Sequence, residues 1–214
     1  MSKANFTVKI TGLQNSFSHS SIHTLFIPAS IKEFKEGWCK QTKSLNNIII
    51  SPKNKHFKYL DEKHQVIVRK SDPNKEIYDS IVFASRDITT ITIPKTIKYI
   101  ESHSFENCEQ LEEIIFHKDS QLQTIGENAF SNTSIRSLFI PSNVKEIKDG
   151  WCKNTSKLKN ISISPQNKYV KFIEKMIVIK SDPCKENYDK IIFTDKSIEC
   201  ATIPKTIRYI GSYS

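Results

Sequence analysis

Large apolar residues return along this chain in the order apolar-x-x-apolar-x-apolar, and a proline follows the last of them in most cases. The series includes Ile22/Leu25/Ile27, Leu45/Ile48/Ile50, Ile88/Ile91/Ile93, Leu111/Ile114/Phe116, Ile135/Leu138/Ile140 and Leu158/Ile161/Ile163. The last two of each set stand two residues apart, which places both on one side of a short strand. Proline has no amide hydrogen to give a ladder, so it predicts the end of that strand. A second apolar pair follows, Ile31 with Phe34, Ile97 with Ile100, or Val144 with Ile147, and then a turn carrying Phe105 or Phe130.

The strand ends fall at Pro28, Pro52, Pro94, Lys118, Pro141, Pro165 and Pro204, and the close spacings are 23 or 24 residues. A longer repeat overlies this one. Residues 22–55 and 135–168 agree at 21 of 34 positions, too many for a shared pattern alone. Residues 70–83 match 180–193, and 92–100 match 202–210, at an offset three residues shorter. Copy one runs over about 15–104 and copy two over about 128–214.

The intervals 53–93 and 166–203 break the short period. Each holds extra strand-like segments, 65–68 with 81–83 and 176–179 with 191–193, joined through Lys-Ser-Asp-Pro, a turn signal. They read as two irregular enlarged repeats with extra strands. A single repeat buries roughly 1.5–3 kcal/mol per large side chain. Ordering its backbone costs on the order of 1–2 kcal/mol per residue. One repeat therefore does not fold alone; stacked repeats sharing one core do. The predicted architecture is one solenoid over 1–214, mainly short parallel β-strands with turns and short helical segments. Both ends fall inside a repeat, so the chain reads as a stretch of a longer array.

Residues 91–111, ITIPKTIKYIESHSFENCEQL, with Ile125-Gly126-Glu127-Asn128-Ala129-Phe130, resemble the BspA-like leucine-rich repeat. The resemblance implies a leucine-rich-repeat solenoid. It further implies a surface antigen or adhesion role, recognising host or cell-surface proteins. Gly37-Trp38-Cys39 and Gly150-Trp151-Cys152 depart from the family's Ala-Phe step. Cys39 and Cys152 take the aromatic position, Thr42 and Thr155 the cysteine position, and Trp is expected to fill the volume.

Chemistry is sparse. No phosphate-binding glycine loop, nucleophile elbow or His-Glu-x-x-His occurs, so no catalytic residue, cofactor site or metal site is assigned. The histidines at 19, 23, 56, 64, 103 and 117 are scattered and read as exposed bystanders. Asp72-Pro73 and Asp182-Pro183 read as turns. Five cysteines with no C-x-x-C pair read as reduced, partly buried thiols. Sequons begin at Asn5, Asn132, Asn154 and Asn160.

The sharpest functional signal lies on the strands. The residue between the last two apolar positions points away from the core: Phe26, Ile49, Thr92, Ile115, Phe139, Ser162 and Thr202. Four of the seven are large and apolar. Across stacked strands they form a candidate protein-binding stripe. The competing readings are that they pack on one another along the ladder, or that an enlarged repeat covers them.

A net charge of +9 raises nucleic acid as a partner. However, 28 of the 32 basic residues are Lys, spread along the chain without a stacking-aromatic motif, which argues against it. The partner expected is a protein, with an anionic glycan or cell surface a weaker alternative. No run is long enough to span a bilayer and no signal peptide is visible. An intracellular protein–protein interaction scaffold is therefore the alternative function, with a cytoplasmic location set against the cell surface or secretion.

Overall fold

The computed structural model describes residues 16–195 and 197–212. Asn5 and the start of copy one at Asn15 lie outside them.

Each coil has three sides, and the first carries the longer strands. β1 (Thr24–Ile27) and β2 (Asn47–Ile50) pair in parallel with Ile27 opposite Ile50. The chain then leaves the circuit for β3 (Phe57–Tyr59), β4 (Val66–Arg69) and β5 (Ser80–Ala84). It returns to the first side as β6 (Thr90–Ile93) and crosses to the second side as β7 (Tyr99–Ile100). Two regular circuits follow: β8 (Glu113–Phe116) with β9 (Thr124–Ile125), then β10 (Ser137–Ile140) with β11 (Glu146–Ile147). After β12 (Asn160–Ile163) a second excursion forms β13 (Val170–Ile173), β14 (Met176–Ile179) and β15 (Lys190–Thr194). β16 (Tyr209–Ile210) lies parallel to β15.

The first side consists of three parallel pairs, β1-β2, β6-β8 and β10-β12. The second side is a sheet ordered β11-β9-β7-β5-β4-β3, in which the excursion strands are antiparallel to one another and β5 joins β7 in parallel. β13-β14-β15-β16 repeat that arrangement in copy two. The Pro28 and Pro52 rungs are thus neighbours, and so are the Pro94, Lys118, Pro141 and Pro165 rungs. The Pro52-to-Pro94 step is not a ladder, because the first excursion enters there. The Pro204 segment carries no first-side strand.

The third side is a stack of turns bonded coil to coil. Phe105 donates its amide hydrogen to the Ala129 carbonyl at 2.9 Å, Phe130 to Trp151 at 2.7 Å, and Asn132 to Lys153 at 2.9 Å. Each turn holds two left-handed residues four positions apart: Gly37 and Gln41, His103 and Asn107, Asn128 and Asn132, Gly150 and Asn154. A left-handed residue cannot continue a right-handed helix. This corrects the expected short helical segments: among the described residues these positions are turns, and there is no helix.

The same geometry settles the Gly-Trp-Cys departure. Trp38 and Trp151 stand where Ser104 and Ala129 stand in the regular coils, and the turn is unchanged. Trp151 is buried, and its indole N–H donates to the Ile192 carbonyl at 3.2 Å.

The inward isoleucines form one column through the regular coils, with Ile93, Ile97, Ile100, Phe105, Leu111, Ile125 and Phe130 fully buried. Gly126 permits the close stacking. A Cβ there would stand 2.4 Å from the Ser102 nitrogen, inside van der Waals contact.

Asn54 and Asn167 lock each excursion to the coil before it. The Asn54 amide group donates to the Pro28 and Ile31 carbonyls while its oxygen accepts from the His56 and Phe57 amides. Asn167 repeats all four bonds with Pro141, Val144, Tyr169 and Val170.

Candidate protein-binding face

The first side presents the residues between its inward apolar positions. Phe26 is 57% exposed, Ile49 45%, Ile115 46% and Phe139 43%, while Ile27, Ile48, Ile114 and Leu138 beside them are buried. A large side chain left this open on a rigid strand leaves apolar area in water. Thr92, Ser162 and Thr202 are exposed as well.

The row is split. Phe26 and Ile49 stand opposite each other on β1 and β2. Thr92 is paired with Ile115, and Phe139 with Ser162. The rungs of Ile115 and Phe139 are consecutive, tied by the Arg136 amide to the Glu112 carbonyl at 3.4 Å. Between Ile49 and Thr92 comes the β3–β4 hairpin. Its Tyr59 hydroxyl donates to the Ile48 carbonyl at 2.7 Å and accepts from the Ile50 amide at 3.1 Å. These are the groups β2 turns away from β1, so the phenol closes that edge. Thr202 lies outside any strand.

Behind the split, a buried polar junction replaces the turn ladder. In the regular stack, the second left-handed residue of a turn donates its amide to a carbonyl of the next coil, as Asn107 does to Ser131. Gln41 instead donates to the Glu106 carboxylate, through its amide at 2.8 Å and its side chain at 2.6 Å. Burial disfavours charge on Glu106, but the His103 ring at 3.0 Å, the Gln41 amide and the nearby Arg86 outweigh it and leave the carboxyl below its ordinary range.

Arg86 fills the rest of the gap. Its guanidinium donates to the carbonyls of Thr42, Ala84, Ser104 and Cys39 and to the Thr42 hydroxyl. It is 5% exposed, and no charge there is free to meet a ligand. This overturns one expectation: His103 is a buried structural residue, held in the left-handed first position of its turn. Sequence reading missed the junction because Gln41 and Glu106 are 65 residues apart. Its only local trace is a His with a Glu three residues on.

The thiols divide by burial. Burial pushes the Cys39 thiol up to about 11, although Arg86 draws it down, and Cys108 is raised for the same reason. Cys184 and Cys200 are exposed, and no disulfide joins any of the five cysteines. Asp72 and Asp182 close turns by accepting from the Asn74 and Cys184 amides. Asn132 bonds Asn107, whereas Asn154 and Asn160 are exposed. Among the described residues no His, Cys, Asp and Glu cluster could hold a metal ion, and no helix is long and apolar enough to cross a membrane.

A model of the BspA-type leucine-rich-repeat region matches residues 2–61 and 75–177, in six copies. Among solved structures, the pneumococcal vaccine antigen PcpA superposes with a TM-score of 0.55 at 20% identity, covering 90% of this chain and 42% of that one. A leucine-rich repeat protein from Eubacterium ventriosum gives 0.58 at 20% identity, covering 92% and 50%. The chain thus spans half or less of the length of either structure. No curated protein matches the sequence.

Proposed function

The chain belongs to the BspA-type leucine-rich-repeat family, and from that premise we propose that it is a non-catalytic protein-binding scaffold, an adhesion module of surface-antigen type. Its first side receives a host or cell-surface protein. The observation that carries this reading is the exposure of Phe26, Ile49, Ile115 and Phe139 on strands whose inward faces are locked in the core. Rigid presentation lowers the entropy lost on binding, so a few aromatic and aliphatic anchors suffice. That one structural neighbour is a pneumococcal vaccine antigen agrees with a surface location.

The test is capture of surface proteins from host cells by the intact chain and by a Phe26→Ser/Phe139→Ser variant. Matching circular dichroism and melting would show that both are folded. The variant is expected to lose at least about thirtyfold in capture, the scale of removing even one anchor worth ~2 kcal/mol. Capture unchanged by the double substitution removes the stripe from the proposal.

A second reading, an intracellular protein–protein interaction scaffold, draws on the exposed free thiols of Cys184 and Cys200. Free exposed thiols persist most readily in a reducing compartment. Immunolocalisation in the source cell separates the two.

A further inference from the structure

The split in the first side leaves a strand edge with main-chain groups facing a groove. β6 has β8 as its single strand neighbour among the described residues. The ladder between them uses alternate residues, with the His117 amide bonded to the Ile93 carbonyl at 3.1 Å. In a strand, successive residues send their N–H and C=O to opposite edges. Thr90 and Thr92 therefore direct theirs away from β8.

That direction faces a groove of about 530 Å3 lined by Leu60, Asp61, Lys63, Ile88, Thr92 and Pro94, among others. The facing edge of β2 is closed by the Tyr59 hydroxyl. The Asp61 carboxylate at the hairpin tip is engaged by the Gln65 and Val66 amides. Neither element supplies β6 with a partner strand.

An edge of alternating donors and acceptors beside an apolar-floored groove has a specific complement, an extended polypeptide. We propose that an extended segment of the bound protein adds to β6 as a strand in the position that β2 would hold in an unbroken stack. Main-chain bonds to Thr90 and Thr92 fix the segment. Its inward side chains pack on Leu60 and Ile88, and Pro94 ends the site. The site specifies an extended stretch with aliphatic residues at every second position. This rests on the first side being the binding surface and adds how the partner is held there.

The probe is a labelled 12-residue peptide with the sequence of residues 156–167, SKLKNISISPQN. It reproduces a rung that pairs in parallel within this chain. Amide exchange of the full chain is followed by NMR with the peptide at saturation. Exchange at Thr90 and Thr92 is expected to slow by tenfold or more, with that at Ile91 and Ile93 changing least, since those amides face β8.

Thr90→Pro deletes one outward donor at the first residue of the strand, where proline is tolerated. It is expected to weaken peptide binding about three- to tenfold, the scale of one hydrogen bond. Absence of binding at millimolar peptide, or binding that leaves the Thr90 and Thr92 amides unprotected, overturns the proposal without help from any variant. A natural partner lost with Phe26→Ser/Phe139→Ser but held as tightly by Thr90→Pro refutes the strand addition while leaving the face intact.

Discussion

In the first enlarged repeat Arg69 grips Glu101 through two guanidinium nitrogens, at 2.6 and 3.1 Å, and Ser80 donates to the same carboxylate oxygen. In the second, the equivalent positions hold Ile179, Gly211 and Lys190. Lys190 turns to Asp149 at 2.7 Å instead. The hairpins differ in the same way. Tyr59 caps the edge of β2, whereas its counterpart Phe172 has no hydroxyl and is 45% exposed. The first hairpin closes with a loop pinned by Asp61; the second closes with Glu174 and Lys175, both left-handed, in the two-residue turn that suits twisted strands. What both keep is Asn54 or Asn167 at the entry and the Ser71–Asp79 or Ser181–Asp189 bonds across the loop. The excursion is thus fixed at its base by main-chain capture, while its outer contacts are free to vary.

The largest effect should come from the junction beside the first excursion. Arg86→Met strips donors from four buried carbonyls and should cost about 3–5 kcal/mol in urea unfolding. Arg86→Lys, which keeps the charge without the fork, should recover part of that. A loss below about 1 kcal/mol for Arg86→Met would show that the two coils do not depend on it.

Next come the shared anchors. Asn54→Ala and Asn167→Ala each remove four bonds and should each cost roughly 2–4 kcal/mol. Equal losses would confirm one device used twice; a marked difference would show that the two bases are not held alike.

Exchanging the variable cap is a smaller change. Tyr59→Phe should destabilise by about 1 kcal/mol, and Phe172→Tyr should add no more than that in the second copy.

A pH titration probes the shared loop bond at Asp189. Burial opposes its charge, but the Ser181 amide and hydroxyl and Lys185 at 2.9 Å outweigh it and draw the carboxyl from 3.8 to about 2. A carboxyl lowered in the folded state stabilises it above the ordinary value and loses that contribution as pH falls through the folded value. Stability measured from pH 5 down to about 2 should therefore decline through this window, and Asp189→Asn should flatten that part of the curve. The mildest probe is thiol labelling: Cys184 and Cys200 should react at once, and Cys39 and Cys108 only on unfolding.

Much of this fold is readable from spacing. The apolar pairs two apart, the terminating prolines and the 23- or 24-residue period specify the rungs, because each rung repeats one local pattern. The excursion strands show in Val66–Val68 and Ile81–Phe83, and the fourfold capture by Asn54 and Asn167 sits in a segment that the two copies share. The outward positions of Phe26, Ile49, Ile115 and Phe139 follow from strand alternation. What spacing does not reveal is how coils meet across an insertion. The split between Ile49 and Thr92, the phenol on β2 and the burial of His103, Glu106 and Arg86 depend on residues 9 to 65 positions apart. No local pattern encodes which rung they reach.

In the proposed function the partner lies against the first side. A photoreactive benzoylphenylalanine placed at position 139, and in a separate chain at exposed position 127 on the turn side, tests it directly after irradiation with captured host-surface protein. A covalent adduct from position 139 and none from 127 is the expected outcome. Adducts of equal yield from both, or from 127 alone, would place the partner elsewhere.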